Sequence, residues 1–283
     1  MPYTIVNKQI LGEGIKRLEI RAEVIADMVR PGQFVMIAPE EGKKWIPLSV
    51  MEADTRRGLI SVIIKETGAA TSCLGSLPIR DEVFSVSGPF GTVEEPRQVG
   101  VVVCAATDIS AAQILPMCRA YSRAGNKVIG VLGARTKNEL ILDPQMRIAC
   151  HKVVLTTEDG SAHRRGTVTD AVKELCGQDN VQLVYTCGQT EMLREIAEMT
   201  RQKKIRNLLQ VHTLMSCGRG ICGSCRMKVA KQLVLACEDG PEFDAHQVDF
   251  SELNHRMQAV CSRDEHQEAS GGLKHIWQKM IKG

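Results

Sequence analysis

The sequence predicts a β + α/β chain: a small antiparallel β-barrel, then a parallel α/β sheet, then a cysteine-rich C-terminal segment. Three observations carry this reading. Residues 1–97 hold short apolar or alternating runs broken by turn residues, with few helical stretches. From residue 98 to residue 210, buried strand-like runs alternate with amphipathic helices. Residues 211–283 contain four closely spaced cysteines and a polar tail.

The first part is read as strands at Tyr3–Leu11, Ile15–Ala22 and Gln33–Ala38, broken at Gly12-Glu13-Gly14 and Pro31-Gly32. Ile46–Met51 and Leu59–Lys65 read as a hairpin across Asp54–Gly58. Asp81–Val86 leads into Ser87-Gly88-Pro89-Phe90-Gly91, a turn signal. Five or six such strands predict a small antiparallel barrel. Glu94-Glu95-Pro96-Arg97 reads as the linker. Beyond it, strands at Val99–Cys104, Lys127–Leu132, Lys152–Thr156 and Val181–Thr186 alternate with helices at Ile109–Arg123, Val168–Cys176 and Glu191–Lys204. That alternation predicts βαβ units and a parallel sheet.

Composition narrows the function classes. Apolar residues make up 43% and charged residues 24% of the 283, which is ordinary for a globular protein. A net charge of +3 and 4% aromatics give no support for a nucleic-acid partner. No run of 18 apolar residues exists to span a membrane, and the N-terminus has no signal-peptide pattern, so a cytoplasmic protein is expected. Eleven cysteines fit a reducing compartment, as thiols rather than disulfides. Seven of them lie apart, at 73, 104, 118, 150, 176, 187 and 261, and read mostly as small buried apolar residues.

The remaining four carry chemistry. Cys217, Cys222, Cys225 and Cys237 are spaced C-x4-C-x2-C-x11-C, with glycines at 218, 220 and 223. Plant-type [2Fe–2S] clusters use this run, closed by a later cysteine. Glycines suit a loop that wraps closely around inorganic sulfide. Zinc is the competing metal, but zinc ribbons present two C-x2-C knuckles and this chain has one.

Barrel, α/β sheet and C-terminal plant-spaced cysteines, in that order, resemble the ferredoxin–NADP reductase superfamily. The stretch Ala236–His246, with Val248-Asp249-Phe250, is similar to iron–sulfur flavoprotein subunits: the small subunit of NADH-dependent ferredoxin:NADP oxidoreductase and the electron-transfer subunit of dihydroorotate dehydrogenase B. The resemblance implies FAD on the barrel. The residues it points to are Pro47, Leu48, Ser49 and Val50, and a glycine-led helix start at Gly68, Ala70, Thr71 and Ser72. A helix N-terminus is a natural pyrophosphate seat, although Thr71 and Ser72 equally suit plain capping. An arginine that often precedes this proline is here Ile46, and Lys43 and Lys44 are near enough in sequence to substitute.

The resemblance also implies a nicotinamide site, with Gly188 near the flavin and Gly133-Ala134-Arg135 and Gly166–Asp170 on the nucleotide face. The glycine-rich phosphate loop that relatives place after the first strand of this part is absent. Ala105–Ala112 contains no glycine, and Asp108 is expected as an N-cap. A carboxylate about 4 Å from a phosphate charge costs about 4 kcal/mol at an effective dielectric near 20, before screening. Arg135 is read as either a surface ion pair or a phosphate contact, His163-Arg164-Arg165 as a solvated loop, and Cys187 as a packed thiol.

No side-chain acid, base or nucleophile is required. The implied protein is an electron-transfer subunit of a multisubunit oxidoreductase, moving electrons between FAD and a [2Fe–2S] cluster. Its partner is a larger flavin/iron–sulfur subunit, with ferredoxin as a second candidate. Two readings stay open: NAD(P)H reduces the flavin, or nucleotide binding has been lost and the chain is a relay or architectural subunit, as in an electron-bifurcating complex. The charged tail from His246 to Gly283, with Trp277, is either a docking element or a packed helix.

Overall fold

The structure, a computed structural model, describes residues 2–178, 180–211 and 215–257. Cys261, Trp277 and most of the tail therefore lie outside the described residues. Eight strands and two helices form the first part: β1 Tyr3–Gly12, β2 Ile15–Arg21, α1 Glu23–Met28, β3 Phe34–Ala38, β4 Ile46–Ser49, β5 Glu52–Asp54, β6 Leu59–Lys65, α2 Ala69–Ser76, β7 Glu82–Val83 and β8 Ser85–Phe90.

These strands make two antiparallel sheets, ordered β5-β6-β2-β1-β7 and β4-β3-β8, not the single closed barrel expected. The expected Ile46–Met51 strand is the reason. It breaks at Val50, whose N–H goes to the Gln33 carbonyl in one sheet, while the Met51 N–H goes to Ser61 in the other. The hairpin is consequently β5–β6, with β4 paired to β3 instead. The two sheets bury Ile20, Ile60 and Ile64 against Val35, Ile37 and Leu48 in one apolar core. Ser87–Phe90, expected as a turn, runs on as strand β8 because β3 supplies its pairing partners. α1 was not legible: six residues with two buried apolar positions give too short a period to detect.

The second part follows the expected alternation: β9 Val101–Thr107, α3 Ala111–Arg123, β10 Lys127–Ala134, α4 Asp143–Ala149, β11 Lys152–Thr157, β12 Arg164–Arg165, α5 Val168–Gln178, β13 Val181–Cys187, α6 Thr190–Gln202 and β14 Arg206–Gln210. After the cysteine loop come β15 Arg226–Val229, β16 Gln232–Leu235 and β17 Glu242–Asp244. β17 closes a seven-stranded sheet, ordered β12-β11-β10-β9-β13-β14-β17, as its antiparallel edge. Arg164 and Arg165, expected in a loop, form the opposite edge and remain exposed.

Side chains of β9 alternate between the two faces. Val102, Cys104 and Ala106 pack under α3 and α4, while Val103 and Ala105 pack under α5 and α6. The chain leaves β9 for β10 on one side, and β13 returns on the other. The crevice above the C-terminal ends of β9 and β13 is thus the topological switch point, the usual ligand position in open α/β sheets. Among the described residues no helix is long and apolar enough to cross a membrane.

The expected linker is tied down rather than free. Arg206 pairs with Glu94 at 2.6 Å, and the Glu94 N–H donates to the Glu242 carboxylate at 2.9 Å. The Tyr185 hydroxyl donates to the same carboxylate at 2.8 Å. Burial pushes the Glu242 carboxyl above its ordinary 4.5, against those two donors. The native state therefore holds this proton more tightly than the unfolded chain. The Glu242 contribution is full below pH 4.5 and is lost as pH rises through the folded value. Relative to the parent protein, Glu242→Gln should gain stability as pH rises above the ordinary carboxylate range, read by denaturant titration at a series of pH values. Tyr185→Phe should cost about 1–3 kcal/mol in the same assay, because it removes a donor from a buried acceptor.

Candidate functional site

The cysteine loop owes its shape to backbone that only glycine adopts without strain. Gly218 and Gly220 both sit at φ 70°, and Gly223 at 66°. A side chain at the first two would also have to displace its neighbours. A Cβ at Gly218 would lie 2.6 Å from Met36, and one at Gly220 would lie 2.0 Å from the Glu238 carboxylate. The loop is thereby pressed onto β3 and β8. The Arg219 guanidinium lies 6.0 Å from the Phe90 ring centroid and donates to the Ser87 hydroxyl at 2.9 Å.

Three of the cysteines expected as ligands lie in this loop, and Cys237, beyond strand β16, reaches back to it, its sulfur accepting the Gly220 N–H. Cys225 and Cys237 are buried, Cys217 is half-buried and Cys222 is exposed. The Cys217 thiol neighbours that of Cys222, and the Cys237 thiol neighbours those of Cys225 and Cys217. Main-chain amides point at them: Gly220 N–H at 3.2 Å from the Cys237 sulfur, and Cys222 N–H at 3.4 Å from that of Cys217. Burial pushes the Cys217 thiol up, but the amides of Arg219 and Cys222 outweigh it and bring it to about 6. Deeper burial dominates at Cys237, which is pushed up to about 12. Among the described residues, no three His, Cys, Asp or Glu side chains are arranged to hold one single ion.

Beside the loop is a narrow gap between the antiparallel sheets and the parallel sheet. Phe34, Pro47 and Ser49 form one wall, and Gln113, Gln210 and Met215 form the other. The period of strand β4 explains which of the expected flavin residues reach it: Pro47 and Ser49 face the gap, while Leu48 and the following Val50 are buried in the core, leaving only their backbone available. Sequence reasoning missed Gln113 and Gln210, because one lies on α3 and the other ends β14, distant in sequence from every flavin motif. The Cys187 thiol donates to the Gln113 carboxamide oxygen, and Gln210 donates to the Gly32 carbonyl at 3.0 Å. Cys187 is fully buried, as expected of a packed thiol.

At α2, the Thr71 hydroxyl receives the Thr67 and Gly68 N–H groups at 3.1 Å each and donates to the Gly68 carbonyl at 3.0 Å. It is thus spent on its own helix start. Ser72 is exposed and Ala70 half-buried at the same turn. Lys43 lies 3.9 Å from Glu40.

The crevice at the switch point is a cavity of about 260 Å³ lined by Asp108, Ser110, Gly188 and Gln189, with Leu253 and Met257 reaching in from a helix at residues 250–257. A second cavity of about 160 Å³ adjoins it, with Asp108, Arg135, Glu158, Glu191 and Glu195 on its walls. Asp108 does not cap a helix as expected. It is the first residue of a 3-10 turn, at φ 49°, and no side-chain capping bond is made there. Burial, then the neighbouring Glu139 carboxylate, push its carboxyl up, opposed by Lys65 and Arg135. Arg135 makes the ion pair, with Glu139 at 3.0 Å.

Known proteins match this arrangement. Two antiparallel sheets, a switch-point α/β sheet and a cysteine loop packed between them define a ferredoxin reductase-like oxidoreductase subunit. Residues 212–249 match the model of the iron–sulfur cluster binding domain of dihydroorotate dehydrogenase B. The chain is 33% identical over 253 residues to the Thermotoga maritima dihydroorotate dehydrogenase B (NAD(+)) electron transfer subunit homolog, covering 89% of each protein. It is 34% identical to the probable electron transfer subunit of Archaeoglobus fulgidus, over 77% of this chain and 87% of that one. A chain from the structure of NADH-dependent reduced ferredoxin-NADP oxidoreductase superposes with a TM-score of 0.86 at 32% identity, covering 91% of this chain and 93% of that one. This chain belongs to the family of dihydroorotate dehydrogenase B electron-transfer subunits and their homologues.

Gly220→Ala should cost upward of about 1 kcal/mol, because φ and space both oppose a Cβ. It should also lower the iron retained after anaerobic reconstitution, measured as iron per chain. An unchanged iron content would show that the loop's tightness is not needed for the metal.

Proposed function

We propose that this chain is an electron-transfer subunit of a multisubunit oxidoreductase, holding FAD in the gap and a [2Fe–2S] cluster on Cys217, Cys222, Cys225 and Cys237. Residues 1–97 serve as the flavin-binding part, 98–210 as the nucleotide-type part and 211–283 as the cluster segment and tail. The observation that carries the reading is the adjacency of gap and loop. Met215 lines the gap two residues before Cys217, and the loop rests on Met36 and Phe90, next to Phe34 on the gap's other wall.

The donor set fits a two-iron centre. Four cysteines in C-x4-C-x2-C-x11-C spacing, with main-chain amides on the Cys217 and Cys237 sulfurs, suit a plant-type cluster, whereas a zinc ribbon would present two C-x2-C knuckles. The gap fits the edge of a planar heteroaromatic ring. The Ser49 hydroxyl and the Gln113 and Gln210 carboxamides supply polar contacts between the apolar faces of Phe34, Pro47 and Met215. α2 leaves its first-turn amides without intrahelical partners, with the Ser72 hydroxyl beside them, as a seat for the pyrophosphate.

When bound, a flavin interchanges two-electron and one-electron transfers, and an iron–sulfur cluster carries single electrons. The chain's own residues do the rest. The amides of Arg219, Gly220 and Cys222 donate toward the sulfurs and thereby raise the affinity of the site for electrons. Burial of Cys225 and Cys237 keeps water from the inner side. Cys222, with Ile221 beside it 81% exposed, leaves the outer side open toward a larger flavin/iron–sulfur subunit or a ferredoxin. The (NAD(+)) and NADH in relatives' names belong to those proteins. Here the carboxylates of the switch-point crevice favour a relay that takes its electrons from a partner in a reducing cytoplasm.

An anaerobic absorbance spectrum with FAD, iron and sulfide analysis tests the reading. Flavin bands over broad iron–sulfur absorbance, bleached by dithionite, are expected; a colourless protein with one zinc per chain would falsify it. Ile221→Glu should slow electron exchange with the partner about tenfold while leaving the spectrum unchanged, measured by stopped-flow absorbance.

A further inference from the structure

We infer that Asp108 is the residue that excludes dinucleotide phosphates from the switch-point crevice, and that its carboxylate, not a collapsed backbone, is what excludes them. The inference rests on the relay reading above and names the specificity determinant behind it.

The backbone at this position is left-handed. Asp108 lies at φ 49°, the left-handed region that glycine enters freely and aspartate enters at a cost. Gly188 lines the same crevice, and a Cβ on it would lie 2.5 Å from the Thr107 hydroxyl and 2.9 Å from Met192. About 260 Å³ remains open between the two loops. The crevice is therefore open in volume at this turn.

Its charge is inverted. A pyrophosphate in the crevice would meet Asp108 on the floor and Glu158, Glu191 and Glu195 on the adjoining walls. The one guanidinium on those walls, that of Arg135, is already committed to Glu139 at 3.0 Å. Glu191 and Glu195 are exposed and screened by solvent, and Glu191 is paired with Arg194. Asp108 is half-buried among other carboxylates, so it carries most of the repulsion at the point of closest approach.

The test uses the full chain loaded with flavin and cluster, and reads NADH and NADPH binding by isothermal titration calorimetry. Asp108→Gly restores glycine to a left-handed position. Asp108→Asn keeps the side chain's size and its tolerance for that φ but removes the charge, and so stands in if the glycine variant folds poorly. The parent protein should bind neither nucleotide measurably. Both variants should bind NADH at least about tenfold more tightly than the parent. Tight NADH binding by the parent, or no gain in both folded variants, overturns the role of Asp108. Gain in the glycine variant alone overturns the assignment to charge and assigns exclusion to bulk. The absorbance spectrum of the same samples keeps the two conclusions apart: absent flavin or iron–sulfur bands defeat the relay reading, whereas normal bands with unchanged nucleotide binding defeat only the inference about Asp108.

Discussion

The structure depends on one apolar cluster that ignores the order of the chain. Phe34 and Met36 of the antiparallel part, Val103 and Ile129 of the parallel sheet, and Cys225, Met227 and Cys237 of the C-terminal loop are buried together. Close-packed interiors resist small displacements, so this shared core fixes how the three parts stand to one another. Separate cores joined by flexible linkers would let the gap and the cysteine loop drift apart. Here the loop cannot move without disturbing residues that also pack the sheet.

Polar contacts reinforce the same junction. The strand that follows Cys237 places Glu242 against Tyr185 and the Glu94 backbone, while Thr92 bonds to the Glu238 carbonyl at 2.9 Å and Gln33 to the Gly91 carbonyl at 2.8 Å. Hydrogen bonds of this kind add modest net stability, and those that are buried penalise every alternative that leaves them unmade. Geometry is thereby specified by both the apolar and the polar halves of the interface.

Much of this was legible in the sequence, for particular reasons. The α/β half announced itself because buried strands and amphipathic helices have different periods, and β9, β10, β11 and β13 all appear within a few residues of their expected bounds. The cysteine spacing was equally direct, since ligand spacing is local. What the sequence hid was non-local. Val50 switches sheets through hydrogen bonds to Gln33 on one side and through its neighbour Met51 on the other, and no pattern in residues 46–51 encodes that. Gln113 and Gln210 meet Ser49 only through the fold. Asp108 looked like a helix cap because its residue type suits one; only the backbone angle reveals the left-handed turn beneath it.

The uneven burial of the four thiols carries a consequence for how such a protein is made. Cys225 and Cys237 are sealed within the core, whereas Cys222 faces solvent beside an exposed isoleucine. Iron and sulfide reaching the proposed site in a folded chain would come from that outward side. A partner subunit seated there would close the same doorway. With the cluster and docking face proposed above, the metal centre would be filled before the complex is assembled, since docking would cover its open side.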